Sequence, residues 1–139
     1  AIGRLLHDFN REFDSPTPGA GKVAERIAAL MADGDTKVLL AGDGPDGLAV
    51  MRFRTSIWSE QLECYLAELY VVPDLRGGGL GRALLEAAME TARGEGAEQM
   101  ELGTSEDDVA ARKLYESAGF INTEGGADGP VMFFYERQL

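Results

Sequence analysis

Between Arg76 and Arg82 the chain reads RGGGLGR, with four glycines in five positions and an arginine on each side. The segment follows the apolar run LYVV and Pro73 and precedes a helix-type pattern, so the glycines sit where a strand hands over to a helix. Two phosphate-binding patterns can be tested there. A P-loop requires Gly-x-x-x-x-Gly-Lys followed by Ser or Thr, and no Gly-Lys with that spacing follows a strand, since Gly21-Lys22 precedes Val23 instead. The dinucleotide pattern G-x-G-x-x-G, begun at Gly77 or Gly79, places its third glycine at Arg82 or Leu84 and fails at both. What remains is R-x-x-G-x-G, in which successive unhindered amides and a helix amino terminus could surround a diphosphate. A tight strand-to-helix turn with no ligand is the alternative. His7 and Cys64 are single residues without metal-ligand companions at useful spacing, so neither supports a metal site or a cysteine nucleophile.

The elements that must position this loop can be read from periodicity. Ile2, Leu5, Leu6 and Phe9 recur at helix spacing, and Val23, Ile27, Leu30 and Met31 do so again after the breaker cluster SPTPGAG. Lys37 to Ala41 and Leu48 to Phe53 read as strands of a hairpin joined by GDGPDG. Leu62 to Val72 reads as a central strand covered on both faces. Leu80, Ala83, Leu84, Ala87 and Ala88 form one helical stripe, stopped around Arg93, Gly94 and Gly96. Met100 to Gly103 predicts a further strand, Asp107 to Ala118 a helix ended by Gly119, and Val131 to Arg137 a last strand after EGGADGP. The order predicts an α/β fold, a mixed sheet with helices on its faces.

Composition narrows the class. The 139 residues, 45% of them hydrophobic, suffice for one compact domain over residues 1–139, with no linker-like block to divide it. A formal charge of −11 repels nucleic acid and anionic lipid and favours cationic partners. One cysteine, no long apolar run and no signal-type amino terminus point to a reducing cytoplasm. The chain enters a helical pattern at once, so an upstream strand is expected to be missing from it.

LYVVPDLRGGGLGRALL, from Leu69 to Leu85, and DDVAARKLYESAGF, from Asp107 to Phe120, together resemble the acyl-CoA motif and the downstream helix-and-strand motif of the GNAT superfamily N-acetyltransferases. The resemblance implies a mixed, mostly antiparallel sheet with a splayed parallel pair and flanking helices, the family's first strand being absent from this chain. It also implies acetyl-CoA as co-substrate, with no metal. The strand carrying Leu69, Tyr70 and Val71 would bulge and splay from its parallel neighbour, Met100 to Gly103, freeing backbone groups for the pantetheine arm. The amides of Gly77, Gly78, Gly79, Leu80, Gly81 and Arg82 would receive the diphosphate, with Arg76 and Arg82 adding charge.

In the same resemblance Tyr115, from LYESAGF, takes the general-acid position. Amine attack on a thioester expels a thiolate, which leaves more readily when an acid of comparable pKa delivers a proton. Tyr115 also lies on the margin of its helix's apolar face, where packing is the alternative. The attacking amine must be neutral, so a carboxylate or ordered water has to take its proton. Glu68 adjoins the CoA-contacting segment, where polyamine and aminoglycoside acetyltransferases of the family often carry an acid. Glu63, of opposite parity on the strand, and Glu60, in the preceding loop, are further acceptor-site candidates, and Asp128 lies before the last strand. One departure stands out: Asp108 occupies the place of an asparagine that holds the pantetheine, and an ionised carboxylate cannot donate a hydrogen bond. Asp107 and Asp108 also sit at a helix start, where capping is the competing role.

The implied reaction is direct acetyl transfer in a ternary complex to a primary amine: an aminoglycoside- or polyamine-like cation, or a lysine or peptide amine. A CoA-binding regulatory module without transfer is the alternative, and thiol release in an acceptor screen separates the two. A homodimer is left open as the assembly.

Overall fold

A computed structural model describes residues 1–139, which fall into two compact units, Ala1–Leu102 and Gly103–Leu139. In the first, α1 (Ile2–Glu12) and α2 (Ala20–Ala32) are followed by β1 (Thr36–Ala41), β2 (Gly47–Thr55), β3 (Leu62–Val71), α3 (Leu80–Gly94) and β4 (Ala97–Glu101). The sheet order is β1-β2-β3-β4, antiparallel across the first two pairings and parallel between β3 and β4. The parallel pair exists because α3 carries the chain back across the sheet between them.

Leu5, Ile27, Leu48, Val50 and Tyr70 form a buried cluster between the helical pair and one face of the sheet. Strand alternation turns Gly47, Ala49 and Met51 to the other face, which α3 covers with Leu84, Leu85, Ala88 and Ala92. From Gly47 to Met51 the central strand β2 is therefore buried on both sides. The helical pair is held unusually close: a Cβ on Gly3 would lie 2.4 Å from the Ala20 carbonyl oxygen and 2.7 Å from the Ala24 Cβ. Only glycine lets two backbones approach like this.

A β-bulge interrupts β3. Val50 faces Glu68, but the next residue of β2, Met51, faces Leu66, so Ala67 is the extra residue. The strand changes parity at that point. Tyr65, Ala67, Glu68 and Tyr70 share the face toward α1 and α2, while Cys64, Leu66, Leu69 and Val71 share the α3 face.

The parallel neighbour of β3 spans Ala97–Glu101 rather than Met100 to Gly103. It begins directly after the left-handed turn at Gly96 (φ +90°) and is an edge strand, so its sequence AEQME lacks the apolar run by which a buried strand is recognised.

The second unit contains α4 (Val109–Ser117), which closes at Gly119 (φ +95°) with the Phe120 N–H donating to the Tyr115 carbonyl at 3.0 Å. The strand predicted over Val131 to Arg137 does not form. Val131 makes a single antiparallel bridge to Thr123, and the Met132 N–H donates to the Asn122 carbonyl at 2.7 Å. Beyond it Phe133, Phe134 and Tyr135 are exposed. The β-propensity of VMFFY reflects fit to a pleated, half-buried surface, and no strand provides that surface here.

Candidate active site

The chain leaves β3 through a single 3-10 turn, Pro73–Leu75, and reaches α3 across the glycines. Gly77 (φ +84°) and Gly79 (φ +88°) occupy the left-handed region, Gly79 as the N-cap of α3. Gly78 has no such requirement, and a Cβ there would meet only the Leu75 carbonyl at 3.8 Å. Two of the three consecutive glycines thus answer to backbone conformation. The third answers to nothing within the chain, and it leaves room for a group to approach from outside. The amides of Leu80, Gly81 and Arg82 lie ahead of the first intrahelical bond, from the Ala83 N–H to the Gly79 carbonyl (3.0 Å), and no side chain caps the helix.

Arg76 turns back toward α1. Its Nη1 and Nη2 donate to the two Glu12 carboxylate oxygens at 2.7 and 2.8 Å, its Nε donates to the Val71 carbonyl at 2.9 Å, and its guanidinium lies 5.4 Å from the Tyr70 ring centroid. The Tyr70 hydroxyl also donates to Glu12, and its ring stacks on Phe9. Hydrogen bonding from Arg76 holds the Glu12 carboxyl below the ordinary carboxylate range. The start of the loop is thereby fastened to the end of α1. Arg82 is exposed on the first turn of α3.

β3 pairs with β4 only from Leu62 to Tyr65, while Leu66–Val71 is paired with β2 alone. The backbone edge of Leu69, Tyr70 and Val71 away from β2 has no strand beside it. Their side chains pack into the two faces described above.

On the α1 and α2 side of the sheet lies a cavity of about 230 Å³. Leu6, Val23, Ile27 and Leu30 supply its helical wall and Val50 and Ala67 its floor; Asn10, Arg52 and Glu68 are its polar members. Burial pushes the Glu68 carboxyl above its ordinary value, making its carboxylate a stronger base than that of an exposed glutamate. Neither Glu68 nor Arg52 has an ion-pair partner within 4.0 Å.

Alternation alone predicts opposite faces for Glu63 and Glu68, but the bulge at Ala67 puts them on the same one. Glu63 nevertheless stays outside the cavity, because it accepts from Arg54, which also donates to Glu101 at 3.0 Å. Glu60 is exposed in the loop before β3. Of the three acids read from the sequence, only Glu68 lines the cavity.

Arg52, Asn10 and Glu12 are the residues that sequence reasoning missed. Arg52 had a signal, as the first charge after the apolar run LAVM of β2. Cys64 is buried on β3, and burial pushes its thiol up to about 11, so it stays protonated. No group of three or more His, Cys, Asp and Glu residues is arranged to hold a metal ion, and no helix is long and apolar enough to cross a membrane.

In the second unit Tyr115 is half-buried on α4, its ring edge-on to Phe120 with centroids 5.9 Å apart. Asp108 is the N-cap of α4, its Oδ1 accepting from the Ala111 N–H at 3.1 Å. Asp107 and Asp128 are exposed.

The profile of the Acetyltransferase (GNAT) family matches residues 4–120. A mycothiol acetyltransferase of Thermobispora bispora is 35% identical over 120 residues, covering 83% of this chain and 35% of the relative. The chain thus spans about a third of that relative's length. An aminoglycoside N(6')-acetyltransferase type 1 of Stenotrophomonas maltophilia is 31% identical over 113 residues, covering 77% of this chain and 74% of the relative. Among solved structures, a provisionally assigned acetyltransferase from Arthrobacter sp. FB24 superposes with a TM-score of 0.87 at 42% identity, covering 99% of this chain and 88% of that one. Sheet, glycine loop and matched profile agree: the chain belongs to the acetyltransferase (GNAT) family.

Proposed function

We propose that the protein moves an acetyl group from acetyl-CoA to the primary amine of a small molecule, by direct attack within a ternary complex. The observation that carries this reading is the continuity of β3. Its unpaired edge, Leu66–Val71, leads into the glycine loop at one end and holds Glu68 in the cavity near the other. A pantetheine arm would bond to the free backbone edge as an added strand, and the diphosphate would be received by the amides from Gly77 to Arg82, where Gly78 leaves the approach open. Arg82 adds charge there, whereas Arg76 serves chiefly to fasten the loop to Glu12.

Glu68 takes a proton from the acceptor ammonium, directly or through water, and its raised pKa suits that transfer. As the nitrogen–carbon bond forms and the carbon–sulfur bond breaks, the departing thiolate needs a proton. The family resemblance assigns that donation to Tyr115. Asp108 is spent on capping α4, so the pantetheine contact expected of it is not part of the reading. The relatives named for mycothiol and for aminoglycosides, matched over 83% and 77% of this chain, support a small-molecule amine.

Calorimetry tests the cofactor half. Gly79 is a poor probe because its left-handed φ makes any substitution strained, whereas Gly78 tolerates a Cβ. Gly78→Glu should weaken acetyl-CoA binding by about tenfold or more with an unchanged melting temperature. Equal affinity in the folded variant would sink the assignment. Acetyl-CoA binding without thiol release for any amine would make the protein a binder and not a transferase.

A further inference from the structure

The cavity is not the acidic pocket that the overall charge suggests. Its two charged members are the half-buried carboxylate of Glu68 and the exposed guanidinium of Arg52, and no ion pair joins them. They occupy diagonal positions on neighbouring strands: Glu68 faces Val50, and Arg52 is two residues farther along β2 on the same face. Such positions lie roughly 7–8 Å apart between Cα atoms, close enough for both side chains to reach one small ligand, and no direct ion pair ties them to each other. The remaining lining from α1 and α2 is apolar apart from Asn10.

We infer that the acceptor is a small amino acid-like zwitterion, its ammonium group held by Glu68, its carboxylate by Arg52, and its apolar body lying against Leu6, Val23, Ile27 and Leu30. This rests on the transfer reading above and names the substrate class for it. Two magnitudes favour a zwitterion over a polycation. The net charge of −11 belongs to the whole surface, and beyond about 8 Å at physiological salt its pull is largely screened, so the groups within the cavity decide what binds there. Those groups sum to zero, and the Arg52 guanidinium repels a second or third ammonium. A space of about 230 Å³ also falls below the roughly 300–1,000 Å³ of drug-sized ligand sites, so a single amino acid fills it whereas a multi-ring aminoglycoside would extend beyond it. Arginine meets a carboxylate with two parallel hydrogen bonds, so it is the side chain best suited to select one.

In the reaction one amine nitrogen–acetyl bond forms and one thioester carbon–sulfur bond breaks. The amine loses a proton and the thiolate gains one, while the carboxylate remains bound at Arg52.

The test is a thiol-release assay on the full chain with acetyl-CoA and matched acceptors: leucine, leucinamide, 3-methylbutylamine, spermidine and kanamycin. Leucine should exceed leucinamide and 3-methylbutylamine by about tenfold or more in kcat/KM. Arg52→Gln should remove most of that advantage through KM, changing leucinamide by less than about threefold, and Arg52→Lys should restore part of it. The inference is overturned if spermidine or kanamycin is the best acceptor, if Arg52→Gln lowers leucine and leucinamide equally, or if no member of the panel is acetylated. Calorimetry with acetyl-CoA on the same protein separates the two levels: binding together with a polycation preference overturns this inference alone, whereas no binding overturns the transfer reading as well.

Discussion

The glycine loop and the cavity lie in the same unit and, in the proposed reaction, would recognise their ligands by opposite means. The loop offers main chain: three left-handed or unencumbered glycines and the first amides of α3, with Arg76 already committed to Glu12. The cavity offers side chains from α1, α2, β2 and β3, and its two charges have no partner in the protein. A backbone site is insensitive to which side chains surround it, so one loop can serve many proteins that share a donor. A side-chain site can be rebuilt residue by residue, which is where relatives named for different acceptors can diverge.

Four substitutions would break or sharpen this contrast. Tyr115→Phe has the largest expected effect, because the family resemblance gives Tyr115 the proton donation to the leaving thiolate. Turnover should fall by roughly 10²-fold while acetyl-CoA affinity and acceptor KM stay nearly unchanged, since ring and packing survive. Near-normal turnover with chemistry rate-limiting would make Tyr115 a packing residue. Glu68→Gln should act on the cavity alone, lowering acceptor kcat/KM by about tenfold or more with acetyl-CoA affinity within about twofold. In the wild type, activity should fall as pH drops through the raised Glu68 pKa, and that acidic limb should be absent from the variant.

Glu68 also predicts an inverse effect on stability. Its folded pKa lies above its ordinary value of 4.5, so the folded state favours the protonated acid and loses that preference as pH rises through the folded pKa. Glu68→Gln should therefore melt higher than the wild type at neutral pH, with the gap closing below about pH 4.5. An equal or lower melting temperature at pH 7 would mean that the carboxylate is better solvated than its burial implies.

Smaller effects are expected on the loop side. Gly79→Ala should destabilise by about 1–2 kcal/mol through its φ of +88°, as measured by denaturant unfolding. Arg76→Gln should cost about 1 kcal/mol or less, because the pair is partly exposed, and its chief effect should be on the pH profile. Glu12 has a lowered pKa, so the stability it contributes is present above 4.5 and lost as pH falls through the folded value. The variant should show less of that loss.

What was legible in the sequence follows the same contrast. The loop could be read because left-handed backbone writes itself as glycine and an amphipathic helix writes itself as a 3.6 period. The cavity could not, because its members come from four separate elements and meet only in the fold. Glu68 was found by its place beside the motif; Asn10 carried no local pattern, and the one mark on Arg52, its being the first charge after LAVM, does not tie it to Glu68. The bulge at Ala67 adds a second obstacle, since strict alternation sets Glu63 and Glu68 on opposite faces and one extra residue reverses that. The run from Val131 to Arg137 erred the other way: its residue types suit a strand, but a strand also needs a neighbour, and sequence pattern does not say whether one is there.

The contact at Gly3 bears on how the helical wall of the cavity could change. Leu6 and Asn10 on α1 and Val23, Ile27 and Leu30 on α2 line one side of the cavity, and the spacing of the two helices is set by backbone touching backbone. A contact of that kind cannot yield gradually. Even alanine at position 3 would overlap the Ala20 carbonyl and the Ala24 methyl, forcing one helix to slide as a unit and carrying its whole share of the wall with it. Exchanges at the lining would trim the cleft by a methyl or two, whereas a change at this remote glycine would reset its width in one step.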